Sequence, residues 1–375
     1  MNDRAMTFEL PADFYLRYWQ REPLFIPNAI ANFAGPISGD ELAGLACLPT
    51  VESRLVIERG CAAAWKVRHG PFEQQAFANL PESHWTLLVQ AVDHWDDAVS
   101  ALRRLFPEIP NWRIDDVMVS YAVDGGSVGP HSDSYDVFLL QGAGSRRWHL
   151  GGNVESNAPL QSHNELRLLK DFSPVREYLL RPGDALYLPP NYAHWGIAEG
   201  ECMTFSLGYR APSHAEIIDG FASTVIGALS NDMRYRDPGI GQSSAHPGEI
   251  SRDVILRMRA IIEENLTEEN VEAWLGTYAT ERKYDSRESN FDEPEATNVA
   301  QPSTMYSVRL DSRFAFTERA GGLNLYANGQ RIECPSSARS FVERLCDGHF
   351  VEDSDIAMWP QIVVELLRLG AIEIQ

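Results

Sequence analysis

Up to about residue 212, the apolar residues occur in short runs that glycine, proline and aspartate separate. The runs lie at 55–57, 116–123, 136–141, 148–150, 185–188 and 203–209. Short strands at this spacing are typical of a β-sandwich or a barrel. Helical signals at 14–20 and 95–106 come before this core. We therefore predict a mainly β domain whose helices flank the sheet and do not alternate with its strands.

After Pro212 the pattern changes to helical spacing. Residues 214–229 carry apolar side chains three or four positions apart, and 251–278 contains two more helical stretches with Thr267 as a possible N-cap between them. These helices hold more apolar residues than a small bundle can bury. We expect the surplus to be covered by a second copy of the chain, in a homodimer.

The C-terminal part predicts a separate module after a linker. Asn328-Gly329 lies between alternating segments, which is a strong hairpin signal, and helices are predicted at 337–345 and 361–369. A winged helix fits this pattern. The predicted domains are a β-rich domain at 1–212, a helical dimerisation domain at 213–285, a polar, Pro-containing linker at 286–304 and a winged-helix domain at 305–375. A chain of 375 residues fits such a division.

Charge narrows the choice of partner. Asp and Glu outnumber Lys and Arg by 53 to 32, and the formal net charge is -21. Such a surface repels phosphate backbones, because binding to nucleic acid depends on cations that displace counterions. The segment 305–375 is itself acidic, with seven arginines, no lysine and ten acidic residues. We therefore expect no direct DNA binding, and a basic protein or a cation is the better partner.

The cysteines and the termini indicate the compartment. Five cysteines are scattered without a CxxC pair, which argues against a disulfide framework and fits a reducing cytoplasm. The N-terminus carries acids where a signal peptide needs a basic start, and no run of apolar residues is long enough to span a bilayer. We expect a cytoplasmic protein with no membrane partner.

The candidate chemistry centres on His131 and Asp133. In an extended strand, residues i and i+2 share a face, so these two side chains could hold one metal ion. A facial triad of two histidines and one carboxylate needs a second histidine from elsewhere and leaves the opposite side of the metal open. His194 is the candidate, because the turn, strand and turn at 181–193 would bring it back across a barrel. By contrast, His94-x-Asp96 and His214-x-Glu216 lie in helical surroundings, where i and i+2 diverge.

Three segments resemble a known family. They are SYAVDGGSVGPHSDSYDVFLLQGAGSRRW at 120–148, PGDALYLPPNYAHWG at 182–196 and FYLRYWQREPLFIP at 14–27. They resemble the JmjC-domain 2-oxoglutarate oxygenases, and specifically the bacterial ribosomal oxygenases, which hydroxylate an arginine of large-subunit ribosomal protein sixteen. The resemblance implies a cupin-like jelly roll (a double-stranded β-helix), a helical dimerisation region and a C-terminal winged helix, in this order. It also implies protein arginine 3-hydroxylase activity, at the β-carbon.

The resemblance implies a ligand set as well. Fe(II) would be held by His131, Asp133 and His194, with positions left for 2-oxoglutarate and O₂. Arg146 would bind the distal carboxylate of 2-oxoglutarate through a bidentate fork. Ser120 could add a hydroxyl contact, although a buried serine bonded to the backbone is an equal alternative. Arg147 should point to the opposite face of the strand.

The substrate arginine would be surrounded by four further residues, Asp116, Met118, Tyr135 and Ser206. A carboxylate would pair with the guanidinium, and apolar or aromatic side chains would flank its methylene stem. Asp115 exchanges roles with Asp116 if the strand register is off by one. Met118 and Tyr135 could instead be core residues.

Other functions remain open at this point. The chain could be a cupin-type metalloenzyme that does not use 2-oxoglutarate. Arg146 distinguishes the two classes of enzyme, because only a 2-oxoglutarate enzyme needs a cation opposite the metal. It could be a JmjC oxygenase that hydroxylates or demethylates another protein residue. A third possibility is a non-catalytic winged-helix binding protein. If the chain is a ribosomal oxygenase, its acidity suits long-range capture of a basic ribosomal protein.

Overall fold

The chain folds as two compact units. The computed structural model describes residues 8, 10–58, 65–155, 157–162, 165–236, 246, 248–284 and 305–374. Of these described residues, the first unit takes those up to 211 together with 282–284 and 309–312, and the second takes those within 212–281 together with 305–308 and 313–374. The predicted linker at 286–304 lies outside the described residues. Among the described residues, no helix is long and apolar enough to cross a membrane.

The first unit is built on a nine-stranded antiparallel sheet with short helices beside it. Its strands are β1 (Leu24–Ile26), β2 (Ser53–Glu58), β3 (Trp65–His69), β4 (Trp85–Val89), β5 (Ile114–Ala122), β6 (Asp136–Asn153), β7 (Arg176–Leu180), β8 (Ala185–Leu188) and β9 (Tyr192–Tyr209). Its helices are α1 (Phe14–Arg17), α2 (Gly39–Leu45), α3 (Gln75–Ala78) and α4 (Asp97–Ala101), with 3₁₀ turns at Val92–His94, Leu102–Leu105 and Asn111–Arg113. The predicted jelly roll with flanking helices is confirmed.

Two long strands organise the sheet. Strands β6 and β9 have 18 residues each and pair along most of their length, within the order β1-β8-β6-β9-β5-β4-β2-β3. On its other side β6 pairs first with β8, at 137–140, and then with β7, at 146–150. The sequence runs 136–141 and 148–150 are thus one strand and not two, because the polar and glycine residues between them continue the ladder.

The register between β6 and β9 shifts at the centre of β6. Irregularities fall between Gln141 and Ala143 and again between Ala143 and Ser145, and Gly144 has a φ of 58°. A Cβ added at Gly142 would lie 2.3 Å from the Phe205 ring, so only glycine fits there. The bulged segment changes the partner strand of β6, which lets one sheet curve around an interior.

An aromatic core joins the N-terminal segment to the sheet. Phe138 stacks on Phe106 at a ring distance of 4.0 Å, and Phe14 meets the Tyr187 ring edge-on at 5.0 Å. The Tyr187 hydroxyl donates a hydrogen bond of 2.6 Å to the buried carboxylate of Asp136. Burial of large rings supplies most of the stabilisation of such a core, and the paired hydroxyl avoids an unsatisfied polar atom.

The second unit combines helices with a small β module. Its helices are α5 (His214–Ala228), α6 (Arg252–Asn265), α7 (Glu268–Thr280), α8 (Arg339–Cys346), α9 (Asp353–Met358) and α10 (Pro360–Arg368), and its strands are β10 (Tyr306–Val308), β11 (Phe314–Arg319), β12 (Gly322–Ala327), β13 (Gln330–Pro335) and β14 (Ile372–Ile374). The predicted helical portion and winged helix are both present. The boundary between them as separate domains stays a prediction, since both lie in one compact unit.

Local signals in the second unit agree with the structure. The Thr267 hydroxyl accepts a hydrogen bond from the Asn270 backbone N–H and caps α7. Asn328 and Gly329 both have positive φ, 48° and 81°, and join β12 to β13 in a two-residue turn. Left-handed backbone at both positions is what such a hairpin needs, and Asn-Gly supplies it at low cost.

Candidate active site

The two candidate histidines lie opposite each other. His131 and His194 exchange both backbone hydrogen bonds, at 3.0 and 2.9 Å, although His131 lies outside every strand. The backbone N–H of Asn191 also donates to the carbonyl of Asp133, at 2.6 Å. One donor atom from each of His131, Asp133 and His194 lies within 4.8 Å of the others, and Asp133 Oδ2 is 3.6 Å from His194 Nε2.

The path of the backbone differs from the one predicted. We expected His131 and Asp133 on one extended strand, but β6 begins only at Asp136, and residues 132–135 form a loop. Proline at 130 cannot donate to a ladder, and the serines that follow favour a turn. The two side chains converge because Asn191 and the start of β9 hold the loop by its backbone, and not because they share a strand face.

Hydrogen bonds fix the orientation of both imidazoles. The Nδ1–H of His131 donates to the Gly129 carbonyl at 2.9 Å, and the Nδ1–H of His194 donates to the Tyr192 carbonyl at 2.8 Å. A carbonyl can only accept, so each Nε2 keeps its lone pair for a metal. Burial, with a smaller contribution from His131, lowers the pKa of His194 to about 4 and keeps the ring neutral. Two imidazole nitrogens and one carboxylate fit a divalent transition metal such as Fe(II).

Arg146 is a buried cation without a local partner. It is 5% exposed, and its Nε and Nη2 have no hydrogen-bond partner among the described residues. The guanidinium lies 5.9 Å from the centre of the Trp148 ring. Its neighbour Arg147 faces the other way and pairs with Glu177 and Glu199. Unpaired buried donors are costly, so a bound carboxylate that pairs with Arg146 fits the site, and 2-oxoglutarate carries one.

One cavity in the first unit, of about 320 Å³, joins the predicted site residues. All nine of them line it: Asp116, Met118, Ser120, His131, Asp133, Tyr135, Arg146, His194 and Ser206. The register explains part of this, because Ser120 lies opposite Thr204, and Met118 lies opposite Ser206, on the paired strands β5 and β9. The structure therefore brings every candidate together, although their individual roles are not decided by proximity.

The alternatives for three wall residues have different outcomes. Ser120 lines the cavity, and its hydroxyl also lies 3.5 Å from the Thr204 carbonyl, so both of its expected contacts are available. Met118 lines the cavity while it packs on an apolar cluster that includes Leu88. Tyr135 is 42% exposed and is not a core residue.

Asp115 and Asp116 both line the cavity, and we call the part that these two carboxylates form the acidic end. Asp115 pairs with Arg210 at 3.2 Å and with Lys283 at 2.5 Å. Asp116 Oδ2 accepts hydrogen bonds of 3.0 Å from the Ala91 N–H and from the Tyr284 hydroxyl. Asp115 and Asp116 both border the cavity, so the choice of Asp116 over Asp115 as the partner of the substrate stays a prediction.

Burial is the main cause that raises the pKa of Asp116, to about 7, and the negative charges of Asp93 and Asp115 add to it. Lys283 and Tyr284 act in the opposite direction. At neutral pH this carboxyl is poised between its two protonation states, and a cation brought beside it would favour ionisation.

Sequence reasoning missed several residues around the cavity. Arg54 from β2, Glu165 and Arg167 line it, as does Lys283, which follows the helices of the second unit in sequence. Tyr284 touches Asp116 from the same segment. For Lys283 the sequence offered one hint, namely that lysine is rare in this chain and occurs only three times. Nothing in the spacing of the other residues pointed to the site.

Comparison with known proteins decides the family. Residues 101–217 match the model of the JmjC domain, and residues 257–368 match that of the ROXA-like winged helix. The chain is 38% identical, over 338 residues, to the ribosomal protein uL16 3-hydroxylase of Escherichia coli strain K12, covering 88% of this chain and 87% of that protein. The chain belongs to the JmjC ribosomal oxygenases.

Further relatives of this ribosomal oxygenase agree. A probable ribosomal oxygenase of Haemophilus influenzae is 31% identical over 372 residues, which cover 93% of this chain and 89% of that protein. The solved structure of YcfD, a ribosomal oxygenase from Escherichia coli in complex with cobalt and 2-oxoglutarate, superposes with a TM-score of 0.84 at 33% identity, over 99% of both chains. The chain is thus a 2-oxoglutarate-dependent oxygenase, which excludes the cupin-type alternative and the non-catalytic one.

Proposed function

We propose that this protein hydroxylates the β-carbon of an arginine side chain in ribosomal protein uL16, with Fe(II), 2-oxoglutarate and O₂. The observation that carries the proposal is one cavity that holds three groups together. These are the His-Asp-His cluster, the buried Arg146, and the neighbouring carboxylates of Asp115 and Asp116, which we call the acidic pair. The name of the Escherichia coli relative supplies the substrate, and the acidic pair suits a guanidinium.

Three residues would hold the metal. His131 and His194 offer Nε2 atoms whose rings are fixed by backbone carbonyls, and Asp133 offers a carboxylate oxygen. When bound, Fe(II) and 2-oxoglutarate supply the oxidising chemistry that places an oxygen atom from O₂ on an unactivated carbon. The chain supplies fixed ligands on one side and an enclosed cavity on the other.

Arg146 and Ser120 would position 2-oxoglutarate. The unpaired Nε and Nη2 of Arg146 provide two donors with the spacing of a carboxylate, and the low polarity around Trp148 strengthens the pairing. Ser120 lines the cavity, and its hydroxyl can rotate to donate to the cosubstrate.

The substrate arginine would enter from the acidic end. Asp116 would pair with the guanidinium, Met118 and Tyr135 would flank the methylene stem, and Ser206 would contribute a hydroxyl. The stem is apolar and the head is cationic, so a cavity with apolar walls and a carboxylate at one end suits both parts. This arrangement would hold the arginine by its head and leave its methylene stem free to face the residues that would hold the metal.

The decisive assay incubates the protein with recombinant uL16, Fe(II), 2-oxoglutarate and O₂. We expect succinate release that uL16 stimulates, and a gain of one oxygen atom on an arginine-containing peptide by tandem mass spectrometry. His131→Ala should abolish both signals, whereas His149→Ala, on the outer face beside Glu177, should retain them. Oxygen on another residue type, or formaldehyde from a methylated peptide, would support a different JmjC activity instead.

A homodimer is part of the proposal. No side chain of α5 or α6 is buried, although both helices carry many large apolar residues. Ile262 on α6 is 69% exposed. Apolar patches of this kind commonly mark protein interfaces. Sedimentation equilibrium should give twice the 42.0 kDa of one chain, and Ile262→Asp should give the monomer. Leu16→Asp, on α1 and 71% exposed, is the matched control that should remain dimeric.

Two further expectations belong to the proposal. The C-terminal module is acidic in composition, which disfavours binding to phosphates, so DNA is not a proposed partner. A cytoplasmic location, where uL16 would be met before ribosome assembly, suits the substrate. Labelled duplex DNA that binds tightly at physiological salt would contradict the first expectation.

A further inference from the structure

We infer that Lys283 is an internal competitor for the substrate cation: its ammonium occupies the acidic end of the cavity and must leave when the substrate arginine binds. The inference deepens the proposed function and rests on it, because it concerns the same pocket. Lys283 Nζ lies 2.5 Å from Asp115 Oδ2, and its side chain lines the cavity that contains the metal cluster.

The residue that follows Lys283 extends the same contact. The Tyr284 hydroxyl lies 3.0 Å from Asp116 Oδ2 and 3.4 Å from Gln90 Nε2. Two consecutive residues thus reach the two consecutive carboxylates, one with an ammonium and one with a hydroxyl. The described residues 282–284 belong to the first unit, although the chain reaches them only after the helices of the second.

Asp116 Oδ1 is the oxygen of the acidic pair at which we expect a new cation to bind. Asp115 Oδ1 pairs with Arg210, and Asp116 Oδ2 accepts from the Ala91 N–H as well as from Tyr284. Asp116 Oδ1 faces Gly208, where an added Cβ would be 3.6 Å from it. A guanidinium that reaches Asp116 Oδ1 would stand beside the ammonium of Lys283, and two cations around one acidic pair repel each other.

The Lys283 pair is weak enough to be displaced. The Lys283 side chain is 50% exposed, and ion pairs at such positions contribute little because water screens them and the long side chain loses freedom. A planar guanidinium with several donors can contact both carboxylates at once, which a single ammonium does less well. Displacement therefore favours the substrate while Lys283 keeps the empty pocket neutralised.

The test compares Lys283→Met with Lys66→Met by Michaelis constants for uL16. Both variants remove one positive charge from an acidic chain, but Lys66 lies on β3 and lines a different cavity. Relative to Lys66→Met, we expect Lys283→Met to lower the KM for uL16 by about two- to fivefold, with kcat unchanged. Lys283→Arg, which keeps a cation at the position, should leave the KM at or above that of the wild type.

A binding measurement removes the dependence on turnover. Anisotropy of a fluorescent arginine-containing uL16 peptide, recorded without O₂, should show the same two- to fivefold gain, about as large as an exposed ion pair allows, for Lys283→Met alone. The gain should vanish with a peptide in which leucine replaces the arginine. Thermal unfolding of both methionine variants verifies that each is folded.

The outcomes separate the two proposals. If the wild type does not turn over uL16, the proposed function fails. If the wild type is active but Lys283→Met matches Lys66→Met, or raises the KM, Lys283 is not a competitor and the present inference alone is overturned. A gain in affinity that also appears with the leucine peptide would likewise overturn it, because the effect would not depend on a cation in the pocket.

Discussion

The two ends of the cavity are prepared in opposite ways. At the metal end, backbone carbonyls hold both imidazoles, while the Nε and Nη2 of Arg146 lack partners within the described chain. At the acidic end, both carboxylates already have donors, among them Lys283 and Tyr284. Thus the Arg146 donors at the metal end await a ligand, whereas the carboxylates at the acidic end are already paired with residues of the chain itself.

The difference follows from what each end must bind. The cosubstrate is needed in every turnover, and a rigid site can bind it. The donors of such a site find hydrogen-bond partners only when the cosubstrate binds, and this preorganisation increases the affinity. A protein substrate is large and must be released after the reaction. An acidic pair that carries internal donors avoids a bare buried charge between turnovers and limits how tightly the substrate binds.

Breaking the metal end should have the largest effect. Asp133→Ala removes the only carboxylate of the cluster, and we expect succinate release to fall by more than about 100-fold, since loss of even an outer partner of a ligand costs 10- to 100-fold. Metal content after gel filtration should fall in parallel. Full activity with bound iron would show that Asp133 is not a ligand.

Loss of the unpaired cation should be the next largest effect. Arg146→Gln removes a charge-assisted contact, and the KM for 2-oxoglutarate should rise by about 10- to 100-fold. Arg147→Gln is the matched control, because it changes the adjacent arginine on the outer face, and it should leave this KM unaltered. Equal effects of the two substitutions would contradict the assignment of Arg146.

The acidic end should respond to pH. Burial and the charges of Asp93 and Asp115 raise the pKa of Asp116 to about 7, against Lys283 and Tyr284. The ionised form binds a cation better, so the affinity for a uL16 peptide should rise as the pH increases through about 7 and level off above it.

Asp116→Asn tests this origin of the pH dependence. The amide does not ionise in this range, so the pH dependence of peptide binding should disappear and the KM should rise by about tenfold. The KM for 2-oxoglutarate serves as the internal control and should stay constant. A pH profile that survives the substitution would assign the titration to another group.

Ionic strength should produce the smallest effect, and one of opposite sign for the two ligands. The net charge of -21 attracts a basic protein and repels the dianion of 2-oxoglutarate. Between about 0.05 and 0.5 M salt, the KM for uL16 should rise a few-fold, while that for 2-oxoglutarate should fall slightly. A salt-independent KM for uL16 would mean that steering is not the reason for the acidity.

The metal end could be predicted from sequence because its signals are local. The spacing of His131 and Asp133 and the turn-rich segment before His194 identified the cluster, although the strand expected at 131–135 was wrong. Arg146 followed from the resemblance, and parity correctly placed Arg147 outside. The acidic end could be predicted only in part. Asp116 lies on a recognisable strand, whereas Lys283 and Tyr284, which contact the two carboxylates, lie more than 160 residues away in sequence.

The irregular centre of β6 has a consequence for how this sequence can change over time. Two shifts of register between Gln141 and Ser145 decide which of two adjacent arginines faces the cavity. A substitution there alters one side chain, but a deletion of one residue would rotate the rest of the strand and present Arg147 in place of Arg146. Lineages should therefore tolerate replacements in this stretch more readily than changes in its length, because a change in length would alter which arginine faces the cosubstrate.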